Sequence, residues 1–192
     1  MSFELYYVTG NPGKFEEVQR FLKSYAPEID LKQADIDLQE QQTDDQYAIA
    51  VYKAQQAWDL LKKPLLIDDA GVYFDKYHKF PGTMTKFLFQ GIGFEGIFKL
   101  VEPGDRLRYF LYLMYVDGSG SMHAFEGECK GQVVKPEVFD AHPRLPFDDI
   151  FLPDGSDKTC AQMQHDDNFH LFAHRLLAVK KFVEWLHNKK SS

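Results

Sequence analysis

The sequence predicts an α/β fold with a central mixed sheet flanked by helices, on three observations. An apolar run at the N-terminus gives way within a few residues to helical spacing. A short, wholly apolar run, Pro64 to Ile67, ends in two aspartates, and two long β-rich runs flank Asp117-Gly118-Ser119-Gly120. Taken in order, residues 3–9 (FELYYVT) read as a strand, and Phe15, Val18, Leu22 and Tyr25 then recur at helical spacing, so strand, short loop and helix succeed one another. Residues 29–38 supply Ile29, Leu31, Ile36 and Leu38 for a second strand. From Asp44, the set Tyr47, Val51, Ala54, Trp58 and Leu61 fits one face of a long helix. Pro64-Leu65-Leu66-Ile67 reads as a central strand buried on both faces, ending at Asp68-Asp69. Residues 105–116 and 121–134 predict a β-hairpin around the turn between them. Phe172, Leu176, Val179, Val183 and Leu186 form one stripe of a last helix, with Asp166, Asp167 and Asn168 as its candidate caps.

Composition narrows the function classes. The chain has 192 residues, 44% hydrophobic and 27% charged, without repeats or linkers, as expected of one globular domain, in two lobes. Its net charge of -7 argues against binding a nucleic-acid backbone, which needs clustered Lys and Arg, but not against a small charged ligand held through a metal. No apolar stretch approaches a membrane span and no secretory pattern opens the chain, so a cytoplasmic location is expected. Cys129 and Cys160 stand far apart and read as free thiols, and the histidines other than His174 show no metal-ligand spacing.

Two stretches carry chemistry. At the junction of the first strand and helix, "YYVTGNPGKFEEV" sets Thr9, Gly10, Asn11, Pro12, Gly13 and Lys14 where helix N–H groups have no partners inside the helix and partial positive charge gathers, a ready anion site with Lys14 adding a full charge. The P-loop pattern is not met, since Val8 stands where its first glycine would be and Phe15 where its Ser or Thr would be. A plain turn followed by a solvated lysine fits the spacing equally well. The second stretch is Asp68-Asp69, placed where α/β folds bind ligands, with Glu40 after another predicted strand as a third carboxylate. Adjacent like charges raise a pKa or recruit a cation, and hard oxygen donors beside phosphate suit Mg²⁺ or Mn²⁺. A turn with a helix cap would explain Asp-Asp-Ala-Gly as well.

Together, "TGNPGKFEE", "DLQE", "LLIDDAGV", "FPGTMTKF", "PFDDIFLPDG", "KTCAQM" and "AHR" resemble, in order and spacing from about residue 5 to 185, the inosine triphosphate pyrophosphatase family, which hydrolyses non-canonical purine nucleoside triphosphates. The resemblance implies a two-lobed fold with a cleft, a homodimer, Mg²⁺ dependence and conversion of ITP, dITP or XTP to monophosphate and pyrophosphate. Residue by residue it implies that Thr9, Asn11 and Lys14 hold the triphosphate, with Lys53 a further phosphate-facing lysine. Glu40 and Asp68 would bind Mg²⁺, and Asp69, beside the metal, would orient or deprotonate the attacking water. Phe147, Asp148, His174 and Arg175 would lie around the base.

The chain departs from the family at that base end. The family's Phe-Gly-Trp-Asp-Pro is replaced by Leu145-Pro146-Phe147-Asp148-Asp149. Its Ser-His-Arg, preceded four residues earlier by a lysine, is replaced by Ala173-His174-Arg175 with Phe169 in the lysine's place. Two other outcomes stay open on this evidence: hydrolysis of another phosphorylated nucleotide, and nucleotide binding without catalysis.

Overall fold

A computed structural model of the chain describes residues 3–139 and 146–190, the side chain of Lys190 excepted, so Leu145 lies outside the described residues. Seven strands make one mixed sheet in the order β2-β1-β3-β5-β6-β7, with β4 beside β3. Strand β1 (Phe3–Val8) runs parallel to both β2 (Ile29–Ala34) and β3 (Leu65–Phe74), as strands linked through helices must. The two-residue β4 (Pro81–Gly82) is antiparallel to β3, and β7 (Phe151–Pro153) is antiparallel to β6. Strands β5 (Arg106–Val116) and β6 (Met122–Val133) form the expected hairpin. Its turn is held by Asp117, whose Oδ1 accepts from the N–H groups of Ser119 (2.8 Å) and Ser121 (3.0 Å).

The chain divides into two compact units. Among the described residues, one comprises 3–69, 111–127 and 175–190, the other 70–110, 128–139 and 146–174, and one of the divisions falls inside β3, between Asp69 and Ala70. In the first unit, helix α1 (Pro12–Tyr25) starts at the loop itself: Pro12 takes the first helical position, where its missing N–H costs nothing, and Asn11 caps it. Val18, Phe21 and Leu22 are its buried residues, whereas Tyr25, expected on the same stripe, is exposed and stacks on Phe21. Helix α2 (Gln46–Leu61), capped by Asp45, packs Ala50, Ala54 and Ala57 into a core with Val8, Leu65, Ile67, Met114 and Val116. Of the expected stripe, Ala54 lies in this core and Val51, Trp58 and Leu61 pack against it, whereas Tyr47 is exposed. Helix α5 (His174–Lys190) buries Leu176, Val179, Val183 and Leu186 as expected. It begins later than Phe172, so Asp166, Asp167 and Asn168 do not cap it; a 3-10 turn, Phe169–Leu171, intervenes.

The second unit contains helix α3 (Thr85–Leu100), kinked at Gly93, and the single-turn α4 (Cys160–Met163), which Thr159 and Gln162 cap reciprocally. Its aromatic core includes Phe74, Phe89, Phe147 and the edge-to-face pair of Tyr109 and Phe151. Cys129 and Cys160 are buried free thiols. No described helix is long and apolar enough to cross a membrane.

Candidate active site

Strand geometry sorts the two aspartates before any chemistry does. Successive side chains of a strand point to opposite faces. Strand β3 does not end at Asp68-Asp69, as the sequence suggests, but continues through Ala70-Gly71 to Phe74, because Gly71 lets the backbone of Gly82 approach to where a Cβ would stand, 2.6 Å from its carbonyl oxygen. Asp68 and Asp69 therefore sit mid-strand and face different partners.

Asp68, with its side chain 2% exposed, is enclosed by donors. Its Oδ1 accepts from the Tyr7 hydroxyl (2.8 Å) and the Lys14 ammonium (3.2 Å), and its Oδ2 accepts from Lys14 (3.0 Å) and Arg175 Nε (3.3 Å). Arg175 Nη1 also donates to Glu17. Burial alone would raise the Asp68 carboxyl, but Lys14, then Arg175 and Lys53, hold it well below the ordinary carboxylate range. Burial lowers the Lys14 ammonium despite the opposing pull of Asp68. It would lower Arg175 too, but Glu17 and Asp68 outweigh it and leave the guanidinium firmly charged.

Asp69 turns to α2. Lys53 Nζ donates to Asp69 Oδ1 (3.2 Å), to Glu40 Oε1 (3.3 Å) and to the Asp68 carbonyl oxygen (3.3 Å). Gln46, also on α2, donates to the Asp69 carbonyl oxygen (2.9 Å). Burial raises the Asp69 carboxyl above its ordinary value in spite of Lys53. Among the described residues no three His, Cys, Asp or Glu side chains gather to hold a metal, so Glu40, Asp68 and Asp69 do not form the joint set the sequence suggests. Asp68 is committed to Tyr7, Lys14 and Arg175, whereas Glu40 and Asp69 share one cation, the Lys53 ammonium. Those two carboxylates, oxygen donors already grouped around a positive charge, fit Mg²⁺ by their chemistry.

The loop differs from its sequence reading in one respect. The N–H groups of Gly13 (3.0 Å) and Lys14 (3.4 Å) donate to Asn11 Oδ1, and Asn11 N–H donates to Thr9 Oγ1 (3.1 Å). The first-turn amides expected to be open to an anion are thus capped, because an N-cap side chain satisfies the same donors. The remaining donor hydrogens of Thr9 and Asn11 are left for an anion, near the Lys14 ammonium that pairs with Asp68.

In the second unit Asp148 and His174 meet at one residue that the sequence did not mark. Tyr109 donates its hydroxyl to Asp148 Oδ1 (2.7 Å) and stacks on the His174 ring, with centroids 4.4 Å apart and planes at 1°. Phe147, expected to stack on a base, is 3% exposed and packs against Phe74 and Phe89, so its ring belongs to the core. Ala173 and Phe169, where the family has polar groups, are buried too. Tyr7 and Glu17 also escaped the sequence reading. A tyrosine inside an apolar strand and the second glutamate of a helix carry no local signal, and only their partners across the fold give them a role.

Comparison with known proteins bears on the family and the fold. The chain is 30% identical over 188 residues to the dITP/XTP pyrophosphatase of Methanopyrus kandleri, covering 95% of each chain. It is 33% identical over 189 residues to the dITP/XTP pyrophosphatase of Pyrococcus horikoshii, covering 95% of this chain and 96% of that one. A Ham1 protein of Coxiella burnetii superposes with a TM-score of 0.74 over 98% of this chain and all of the other, at 16% identity, which speaks for the fold. The model of the Ham1 family matches residues 5–185, and the chain belongs to that family.

Proposed function

We propose that the protein is a Mg²⁺-dependent nucleoside triphosphate pyrophosphohydrolase that converts non-canonical purine nucleoside triphosphates (ITP, dITP and XTP) to monophosphate and pyrophosphate. The observation that carries this reading is the pair of lysine–carboxylate groups in the first unit, Lys14 on Asp68 and Lys53 on Asp69 and Glu40. The names of the relatives, dITP/XTP pyrophosphatases, support the substrate class.

Lys14 and Lys53, with the donors of Thr9 and Asn11, neutralise and orient the triphosphate. Glu40 would hold Mg²⁺ beside Asp69, and the metal supplies Lewis-acid charge stabilisation at the phosphates when bound. The base is assigned to Asp69 rather than Asp68 on a physical ground. Burial raises the affinity of Asp69 for a proton, whereas the cations around Asp68 make it a poor acceptor. Asp69 thus orients and deprotonates a water for in-line attack at the α-phosphorus, expelling pyrophosphate, with no covalent enzyme intermediate. Asp148 and His174, held by Tyr109, are assigned to the base. The active form is a homodimer, which light scattering would check.

Pyrophosphate release measured across ITP, dITP, XTP, GTP and ATP with Mg²⁺ tests the assignment. Turnover is expected with Mg²⁺ or Mn²⁺ and not with Zn²⁺ alone, since the ligands are carboxylate oxygens. Asp69→Asn is expected to lower kcat by roughly 10²-fold or more while still binding nucleotide. Nucleotide binding without any pyrophosphate release by the unaltered protein would mark it as a binding protein and overturn the assignment.

A further inference from the structure

Asp69 is held by more than its carboxylate. Two peptide units flank its Cα, one carrying the Asp68 carbonyl and the other its own, and both carbonyls are taken by side chains of α2. Lys53 Nζ donates to the Asp68 carbonyl oxygen (3.3 Å) and Gln46 Nε2 to the Asp69 carbonyl oxygen (2.9 Å). Peptide units are planar, so holding the two carbonyls restrains the φ and ψ between them, and with these the direction of the Cα–Cβ bond. The aim of the Asp69 carboxylate is thereby set from α2.

Both donors come from one face of that helix. Gln46 and Lys53 stand seven residues apart, with Ala50 between them packed against Leu65 and Ile67, the residues of β3 that lead to Asp68. Gln46 is the first residue of α2, yet it is not the cap. That task falls to Asp45, whose carboxylate accepts from the Ala48 N–H (3.0 Å). Gln46 is 5% exposed, whereas its neighbours Asp45 and Tyr47 are exposed. A buried amide is costly unless it is paired, and packing alone would be met by a methionine or leucine. The bond to Asp69 accounts for the donor. Lys53 is shared with Glu40 and, in the proposed reaction, with phosphate, so the neutral Gln46 is the grip on the strand that does not compete for the substrate's charge.

We propose that Gln46 is a positioning residue for the reaction, which holds the Asp69 carbonyl and so aims the Asp69 carboxylate at the attacking water. This rests on the reading of Asp69 as the base.

The test compares kcat for ITP with the affinity for inorganic tripolyphosphate, a ligand with phosphates and no base, titrated calorimetrically with Mg²⁺ into the full chain and its variants. Gln46→Met keeps the length of the side chain and loses the donor. It is expected to lower kcat roughly tenfold, the scale of one lost buried hydrogen bond, and to leave tripolyphosphate affinity within about twofold. Gln46→Asn, which keeps the amide on a shorter stem, should fall between. In the Asp69→Asn background, with the residual rate read in a single turnover, adding Gln46→Met should cost less than about twofold, because the carboxylate through which it acts is already gone. Should Gln46→Met fail to fold, Gln46→Glu, of the same length but with an acceptor facing the carbonyl, decides by the same readings.

A kcat that survives Gln46→Met would overturn the proposal. An equal loss in the Asp69→Asn background would make Gln46 a support of the fold rather than of the base, and a tenfold loss of tripolyphosphate affinity would move its effect to the phosphates; either overturns it too. If Asp69→Asn turns over as fast as the unaltered chain, or the unaltered chain releases no pyrophosphate, the functional reading fails and the proposal with it. If Asp69→Asn is slow and Gln46→Met is not, the base stands and the proposal alone falls.

Discussion

Tyr109 is the residue whose substitution best separates recognition from chemistry. Its hydroxyl aims Asp148 and its ring supports His174. Tyr109→Phe is expected to lower the kcat/KM preference for ITP over GTP by about tenfold, the worth of one polar contact, while leaving tripolyphosphate affinity unchanged. A preference that survives intact would show that Asp148 is oriented without that hydroxyl. At this scale the sequence was a good guide wherever a residue sat in a motif: Lys14, Glu40, Lys53, Asp68 and Asp69 all meet charged partners. It was a poor guide to Tyr7, Glu17 and Tyr109, whose partners lie 61, 158 and 39 residues away. Arg175 was found from its motif, but nothing local shows that it pairs with Glu17 and Asp68.

Among the elements, α1 and the β6–β7 pair give direct checks of packing. Asn11→Ala removes the acceptor for the Gly13 and Lys14 amides and should cost about 1 kcal/mol of stability, read as a lower urea midpoint. The uncapped amides become available to an anion, so phosphate present in excess should recover part of that loss. Gly131→Ala is a harsher change, since its Cβ would stand 2.3 Å from the Leu152 carbonyl oxygen and 2.8 Å from the Phe151 ring. The melting temperature is expected to fall more than for Asn11→Ala. Strand β1, helix α1, the hairpin and α5 were legible from periodicity. Helix α3 was not, because its run of Phe, Leu, Ile and three glycines has apolar residues all round and no polar face to set a phase. The length of β3 was missed for the opposite reason: its polar centre reads as an ending, yet the aspartates and glycine inside it are satisfied by partners from other elements.

For the whole molecule, the shifted groups set opposite limits on stability with pH. Asp68 is depressed in the folded state, so its contribution is present above about pH 4 and is lost as pH falls below that, where the unfolded chain takes up a proton that the folded one refuses. Cys129 and Tyr115 are pushed up to about 12, chiefly by burial. Their contributions are present below their unfolded values, roughly 8.5 and 10, and disappear as pH rises toward 12. Urea midpoints should therefore form a plateau from about pH 5 to 8 and decline on both sides. Cys129 should react with a thiol reagent at pH 8 only after unfolding. A midpoint that keeps rising from pH 8 to 11 would show that the buried phenol and thiol ionise without penalty. The α/β class was legible because strand-loop-helix succession needs only local pattern. The sheet order was not, since it depends on pairings between distant segments.

The aspartates in mid-strand also answer a question of alignment. Leu65, Leu66 and Ile67 are buried on both faces of β3, so sliding the strand by one residue against its neighbours would still bury apolar side chains everywhere, and hydrophobic pattern cannot forbid the slide. The carboxylates can, because each has its own set of cations on its own side of the sheet. Their being consecutive gives the slide a polarity. Deleting one residue before Asp68 would bring an aspartate to the Arg175 side and Ala70 to the Lys53 side, whereas inserting one would put Ile67 on the Arg175 side and keep an aspartate at Lys53. The paired carboxylates thus also act as the indexing marks that fix the position of β3 against its neighbours.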